Sequence, residues 1–97
     1  MIPQEIEKWI EDKETDLMHQ ESHLEAMPEG WSRKVVEHYG GEGEGELYYT
    51  VYRFDNGNLS LYVRFNGWYQ SYEGSEYDSH EEVVPVQETV TVFKPVK

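Results

Sequence analysis

The rhythm of apolar positions changes near residue 30. Between Pro3 and Met27, Ile6, Ile10, Leu17, Leu24 and Met27 recur at roughly helical spacing, with Trp9 beside them. That spacing predicts an amphipathic helix over residues 3–27. Pro3 suits a first helical position, where a missing N–H costs nothing. Glu5 and Glu7 lie where the helix macrodipole favours acids. A second reading breaks the segment at Asp12-Lys13-Glu14-Thr15 and lets Asp16 cap a shorter second helix. Pro28 and Gly30 end the helical segment in either case.

From Trp31 onward the period is two. Residues 33–39 predict a first strand. Residues 46–54, ELYYTVYRF, predict a second, with Leu47, Tyr49 and Val51 on one face. Asp55-Asn56-Gly57-Asn58 is a hairpin turn, because Asn and Gly tolerate positive φ. Residues 59–65 alternate, placing Leu59, Leu61, Val63 and Phe65 inward and Ser60, Tyr62 and Arg64 outward. Asn66-Gly67 is a second turn signal, which makes Trp68–Glu73 the returning strand and Gly74–Glu82 a polar loop. Residues 83–93 predict a closing strand, with Pro85 marking an edge or bend. The fold class is therefore α+β: an N-terminal helical segment, residues 1–30, packed on an antiparallel meander of about five strands, residues 31–97. The chain forms a single domain, 1–97, because no linker divides it.

Composition sharpens this picture. The chain has 97 residues and a net charge of −12. A domain this small has a thin core, so its three Trp, eight Tyr and three Phe carry much of the burial. The absence of cysteine fits a reducing compartment, and no apolar run is long enough for a membrane helix. The N-terminus is acidic and has no signal-peptide core. These features predict a cytoplasmic protein. The negative charge argues against direct contact with nucleic acid or anionic lipid and in favour of a partner with a basic surface. Charge is also uneven: residues 1–27 hold eight acids and two bases, whereas residues 83–97 hold one acid and two bases.

The stretch His38–Leu47, HYGGEGEGEL, does not fit a phosphate cradle. A strand follows it rather than a helix, and Glu42, Glu44 and Glu46 would repel phosphate. It reads as a soluble hairpin loop or as an acidic finger. His19 and His23 stand at helical i, i+4 spacing, but Gln20 occupies the place of the zincin glutamate, so surface histidines are the expectation. Gly74–Glu82 mixes Ser, His and acids without a calcium-loop spacing or a nucleophile motif. No catalytic residue, metal site or cofactor is assigned. Tyr48, Tyr52, Tyr62, Tyr69 and Tyr72 with Trp68 crowd the central strands; one set faces the core and the other is free for a protein contact.

The run EHYGGEGEGELYYTVYRF through NGWYQSYEGSEYDSHEEVVPVQETVTVFKP resembles small accessory proteins of tailed bacteriophages. The resemblance covers residues 37–95 and carries no catalytic motif. It implies a small protein that acts in a bacterial host cytoplasm by binding host enzymes such as restriction, CRISPR or polymerase machinery. The leading expectation is a non-enzymatic inhibitor or modulator that occludes the basic surface of a host nucleic-acid-binding protein. Glu7, Glu11, Glu14, Glu21 and Glu25 on the helix and Glu42, Glu44, Glu46, Glu76 and Asp78 on loops would stand in for phosphates. Tyr62, Trp68, Tyr69 and Tyr72 would supply the anchors. The alternative is an assembly module that forms a homodimer through its aromatic sheet face or an edge strand.

Overall fold

In the computed structural model, residues 1–41, 47–70, 74–86 and 91–96 are described. Two short helices, α1 (Gln4–Ile10) and α2 (Glu14–Met18), precede four strands: β1 (Ser32–Tyr39), β2 (Leu47–Asp55), β3 (Ser60–Gln70) and β4 (Gly74–Val83). The strands pair antiparallel in the order β1-β2-β3-β4. The α+β class holds, with four strands rather than five among the described residues.

The helical segment breaks in the predicted DKET stretch. Asp12 takes a φ of 71°, a left-handed turn that an aspartate tolerates better than most residues. The second helix starts at Glu14 with Lys13 at its cap, so Asp16 lies inside α2 and does not cap it. The helix does not run to Met27. It ends at Met18, and Gln20 has a φ of 59°. Tertiary packing explains the early stop. Thr50 Oγ1 donates to the Met18 carbonyl at 2.7 Å, and the Tyr52 hydroxyl donates to the Leu17 carbonyl at 2.6 Å. The sheet thus satisfies carbonyls that another helical turn would have used. Leu24 and Met27 still pack against the core, but from irregular chain.

The core is one layer thick. Ile6, Trp9 and Ile10 from α1 and Leu17 and Met18 from α2 meet Tyr52, Phe54, Leu61, Val63 and Phe65 on one sheet face. Trp9 meets Phe54 edge-on, with ring centroids 6.4 Å apart, and its Nε1 donates to the Ala26 carbonyl at 3.1 Å. Burying these side chains supplies most of the stabilisation, at about 1.5–3 kcal/mol each.

The β2–β3 hairpin forms at the predicted turn. Asn56 Oδ1 accepts from the Asn58 and Leu59 amides, and Asp55 Oδ1 accepts from the Gly57 amide. Leu59 belongs to this turn and is exposed rather than inward. The rest of the sheet departs from expectation. Asn66-Gly67 is not a turn but the interior of β3, which runs on to Gln70. Trp68 to Gln70 therefore extends β3 instead of forming a returning strand. The predicted loop Gly74–Glu82 is strand β4. Its register shifts at Asn66/Gly67, where Ser79 and Tyr77 oppose Asn66 and Gly67 and Asp78 is the extra residue of a bulge. A similar bulge in β1 makes Val36 the extra residue between Val35 and Glu37. Residues 84–86 and 91–96 form no strand, so the closing strand expected over 83–93 is absent among the described residues.

Candidate functional site

The sheet register separates the chain into two unlike faces. On the helical side, Glu11, Asp12, Lys13, Asp16, His23, Leu24 and Glu25 line a recess of about 340 Å³. Four of these side chains are carboxylic acids and one is a lysine. The chain turns sharply at Asp12 and ends its helix at Met18, which brings acids from both sides of α2 to one rim. Lys13 Nζ lies 3.9 Å from Glu25 and 4.9 Å from the Trp9 ring centroid. His23 stands 3.7 Å from Asp16 and 3.8 Å from Glu21. The recess presents net negative charge around one apolar side chain, Leu24. A lysine or arginine fits such a surface, with its stem on the leucine and its head among the acids.

The opposite face of the sheet is open. Val36, Glu37, Tyr49, Val51, Tyr62, Arg64, Val83, Val84 and Pro85 line a groove of about 350 Å³ across the strands. The Tyr49 hydroxyl donates to Glu37 at 2.6 Å, and the Arg64 guanidinium lies 5.5 Å from the Tyr49 ring centroid. The hydrogen bond to Glu37, aided by burial, raises the Tyr49 phenol above its ordinary pKa. Arg64 also donates to Glu81 at 2.7 Å, where Asn66 donates as well, and this pairing lowers the Glu81 carboxyl. In the β2–β3 turn, hydrogen bonds from Ser60 and from the Gly57 amide, with Arg53 nearby, hold Asp55 below its ordinary range.

A third constellation ties the helices to β4. His80 Nε2 donates to Glu7 Oε1 at 2.7 Å, and His80 Nδ1 lies 2.8 Å from the Tyr77 hydroxyl. With the proton on Nε2, the other nitrogen accepts from the phenol. Burial pushes Tyr77 up to about 12, with smaller contributions from Glu14, Asp78 and Glu7.

The expected partner-binding residues are thus dispersed. Glu11 and Glu25 line the acidic recess, with Glu21 beside it. Glu7 is engaged by His80, and Glu14 is half-buried. Glu76 accepts from Trp68 Nε1 at 3.1 Å on the open face, and Asp78 is the bulge residue of β4. Tyr62 lines the groove on the open face, and Trp68 is half-exposed there. Tyr69 lies on the other face, stacked on Tyr48 with centroids 6.3 Å apart. Glu42, Glu44, Glu46 and Tyr72 lie outside the described residues. Among the described residues, the acids of the helical side and the aromatics of the open face therefore do not form one patch.

His19 and His23 do not share a helix face, because α2 ends before them. His19 shares a hydrogen bond with Ser75. Among the described residues no three His, Asp or Glu side chains converge in a way that would hold a metal ion, and no helix is long and apolar enough to cross a membrane. The sequence reading missed the open-face groove and the Glu7–His80–Tyr77 connection. The shared face of Leu47, Tyr49 and Val51 was a signal for the groove. The His80 contact had no signal, since it joins residues 73 positions apart. No family model matches the chain, and no curated protein or solved structure gives a significant match to it.

Proposed function

We propose that this chain is a non-enzymatic binding protein whose acidic helical side engages a basic surface of a partner protein. The observation that carries this reading is the recess at Glu11, Asp12, Asp16 and Glu25, whose four carboxylates share its lining with Leu24. The net charge of −12 supplies the long-range field that speeds encounter with a cationic surface, and the apolar leucine offers a contact that salt does not screen. The resemblance over residues 37–95 suggests a host nucleic-acid-binding protein as the partner, with the carboxylates occupying the place of phosphates. The aromatic groove lies on the other face and takes no part in this contact.

Affinity capture from a bacterial lysate tests the reading. Immobilised wild-type protein should retain a basic protein at low salt and release it at high salt. The variant Glu11→Gln/Glu21→Gln/Glu25→Gln should lose that protein, whereas Val36→Asp on the open face should keep it. Retention that ignores both salt and the triple substitution would remove the electrostatic reading.

A further inference from the structure

A run of strongly exposed apolar side chains follows β4. Val84 and Val86 are 70% and 73% exposed, Val92 is 69% and Phe93 is 92% exposed. Residues 91–96 form no strand and carry the sequence TVFKPV. The molecule is correspondingly extended: its Cα radius of gyration is 16.3 Å, against about 13 Å for a compact domain of about 100 residues. The same chain holds an open groove, and Val83, Val84 and Pro85 at the root of the tail line it.

We infer that the segment Thr91–Val96 docks into the open-face groove of a second copy of this chain, and that two copies exchange these segments reciprocally. Three observations match tail to groove. The groove crosses from Val36 on β1 to Val83 on β4. Four strands spaced about 4.8 Å apart span about 14 Å, the length of about four extended residues, which fits Val92 to Pro95. The groove wall contains Arg64, whose Nε is buried without an acceptor among the described residues; a main-chain carbonyl of an extended segment supplies one. Charge is complementary too. Residues 91–97 contain Lys94 and Lys97 and no acid, while Glu37 lies at the groove rim and Glu81 pairs with Arg64 in its wall. The root of each tail sits at its own groove, so a two-fold arrangement lets each tail cross into the partner's groove.

The bulge in β1 is part of this arrangement. With Val36 as its extra residue, β1 turns both Val36 and Glu37 toward the open face. One residue provides apolar wall and the next provides the acid at the rim. This contact is apolar at its centre and lies opposite the acidic recess, so it does not depend on the reading proposed above.

Sedimentation velocity on the full chain, over a wide range of protein concentration, provides the test. Wild type should move from 11.5 kDa toward twice that mass. Val92→Asp/Phe93→Asp damages the tail and should remain monomeric, as should the groove variant Val36→Asp. Both substitutions fall at exposed positions, and circular dichroism of each variant should match wild type. Mixing the two variants leaves one intact tail and one intact groove, which should restore a heterodimer. A wild type that stays monomeric at every concentration would overturn the inference. So would dimers that survive both variants, or a mixture that fails to associate.

Discussion

Gly67 looks like a turn residue in the sequence and acts as a spacer in the fold. A Cβ at this position would meet Met18 Sδ at 2.5 Å and would collide with the Glu76 carbonyl of β4. Its lack of a side chain lets α2 and β4 approach β3 together. Gly67→Ala should destabilise the protein by about 1–3 kcal/mol, measured as a lower urea midpoint with unchanged slope. Tyr52 illustrates a different constraint. Its hydroxyl shares the Leu17 carbonyl with the Gln20 amide. Tyr52→Phe should therefore cost only about 1 kcal/mol. Burial pushes Tyr52, like Tyr77, up to about 12. In the unfolded chain these phenols ionise near about 10, so the unfolded state releases their protons first. Stability from both tyrosines should be complete below about pH 10 and should fall as pH rises toward about 12. Tyrosinate absorbance and circular dichroism should then change together in that window. Ionisation of these tyrosines near the unfolded value, with the fold intact, would contradict their burial.

Among the elements, legibility followed partnership. The β2–β3 hairpin could be read because period two and the DNGN turn agree and because its inward residues are apolar. The first turns of α1 could be read from Ile6, Trp9 and Ile10. By contrast β4 is polar or charged at most positions and fully buries none of its side chains; Tyr77, His80 and Val83 are its largest partly buried residues, so its alternation is invisible without the neighbouring strand. The segment Thr91-Val92-Phe93 posed the opposite problem: its alternation signals an affinity for a sheet, but it pairs with no strand among the described residues. The connection between α1 and β4 through Glu7 and His80 is similarly nonlocal. It joins the first helix to the last strand at 2.7 Å, and the His80 ring lies 5.6 Å from Phe65. A double-mutant cycle with Glu7→Gln and His80→Ala should show a coupling of about 0.5–1 kcal/mol. Hydrogen exchange should quicken most in α1, because removing the contact frees the helix without touching the β2–β3 hairpin. A coupling near zero would make the pair incidental.

For the molecule as a whole, the consequence of the fold is separation. The sequence holds surplus acids and surplus aromatics, and a single recognition patch is the simplest use of both. A meander sheet with its helices on one face instead places the recess of Glu11 and Glu25 opposite the groove of Val36 and Tyr62. One side carries the carboxylates and the other the apolar groove, so under the proposed reading the two should respond to different variables. The most direct measurement is the rate of association with the captured partner as ionic strength rises. An encounter led by the acidic side should slow steeply with added salt, and Glu11→Gln/Glu21→Gln/Glu25→Gln should slow it about tenfold at low salt while Val36→Asp leaves it unchanged. A rate that is flat in salt and indifferent to the three glutamates would contradict the account.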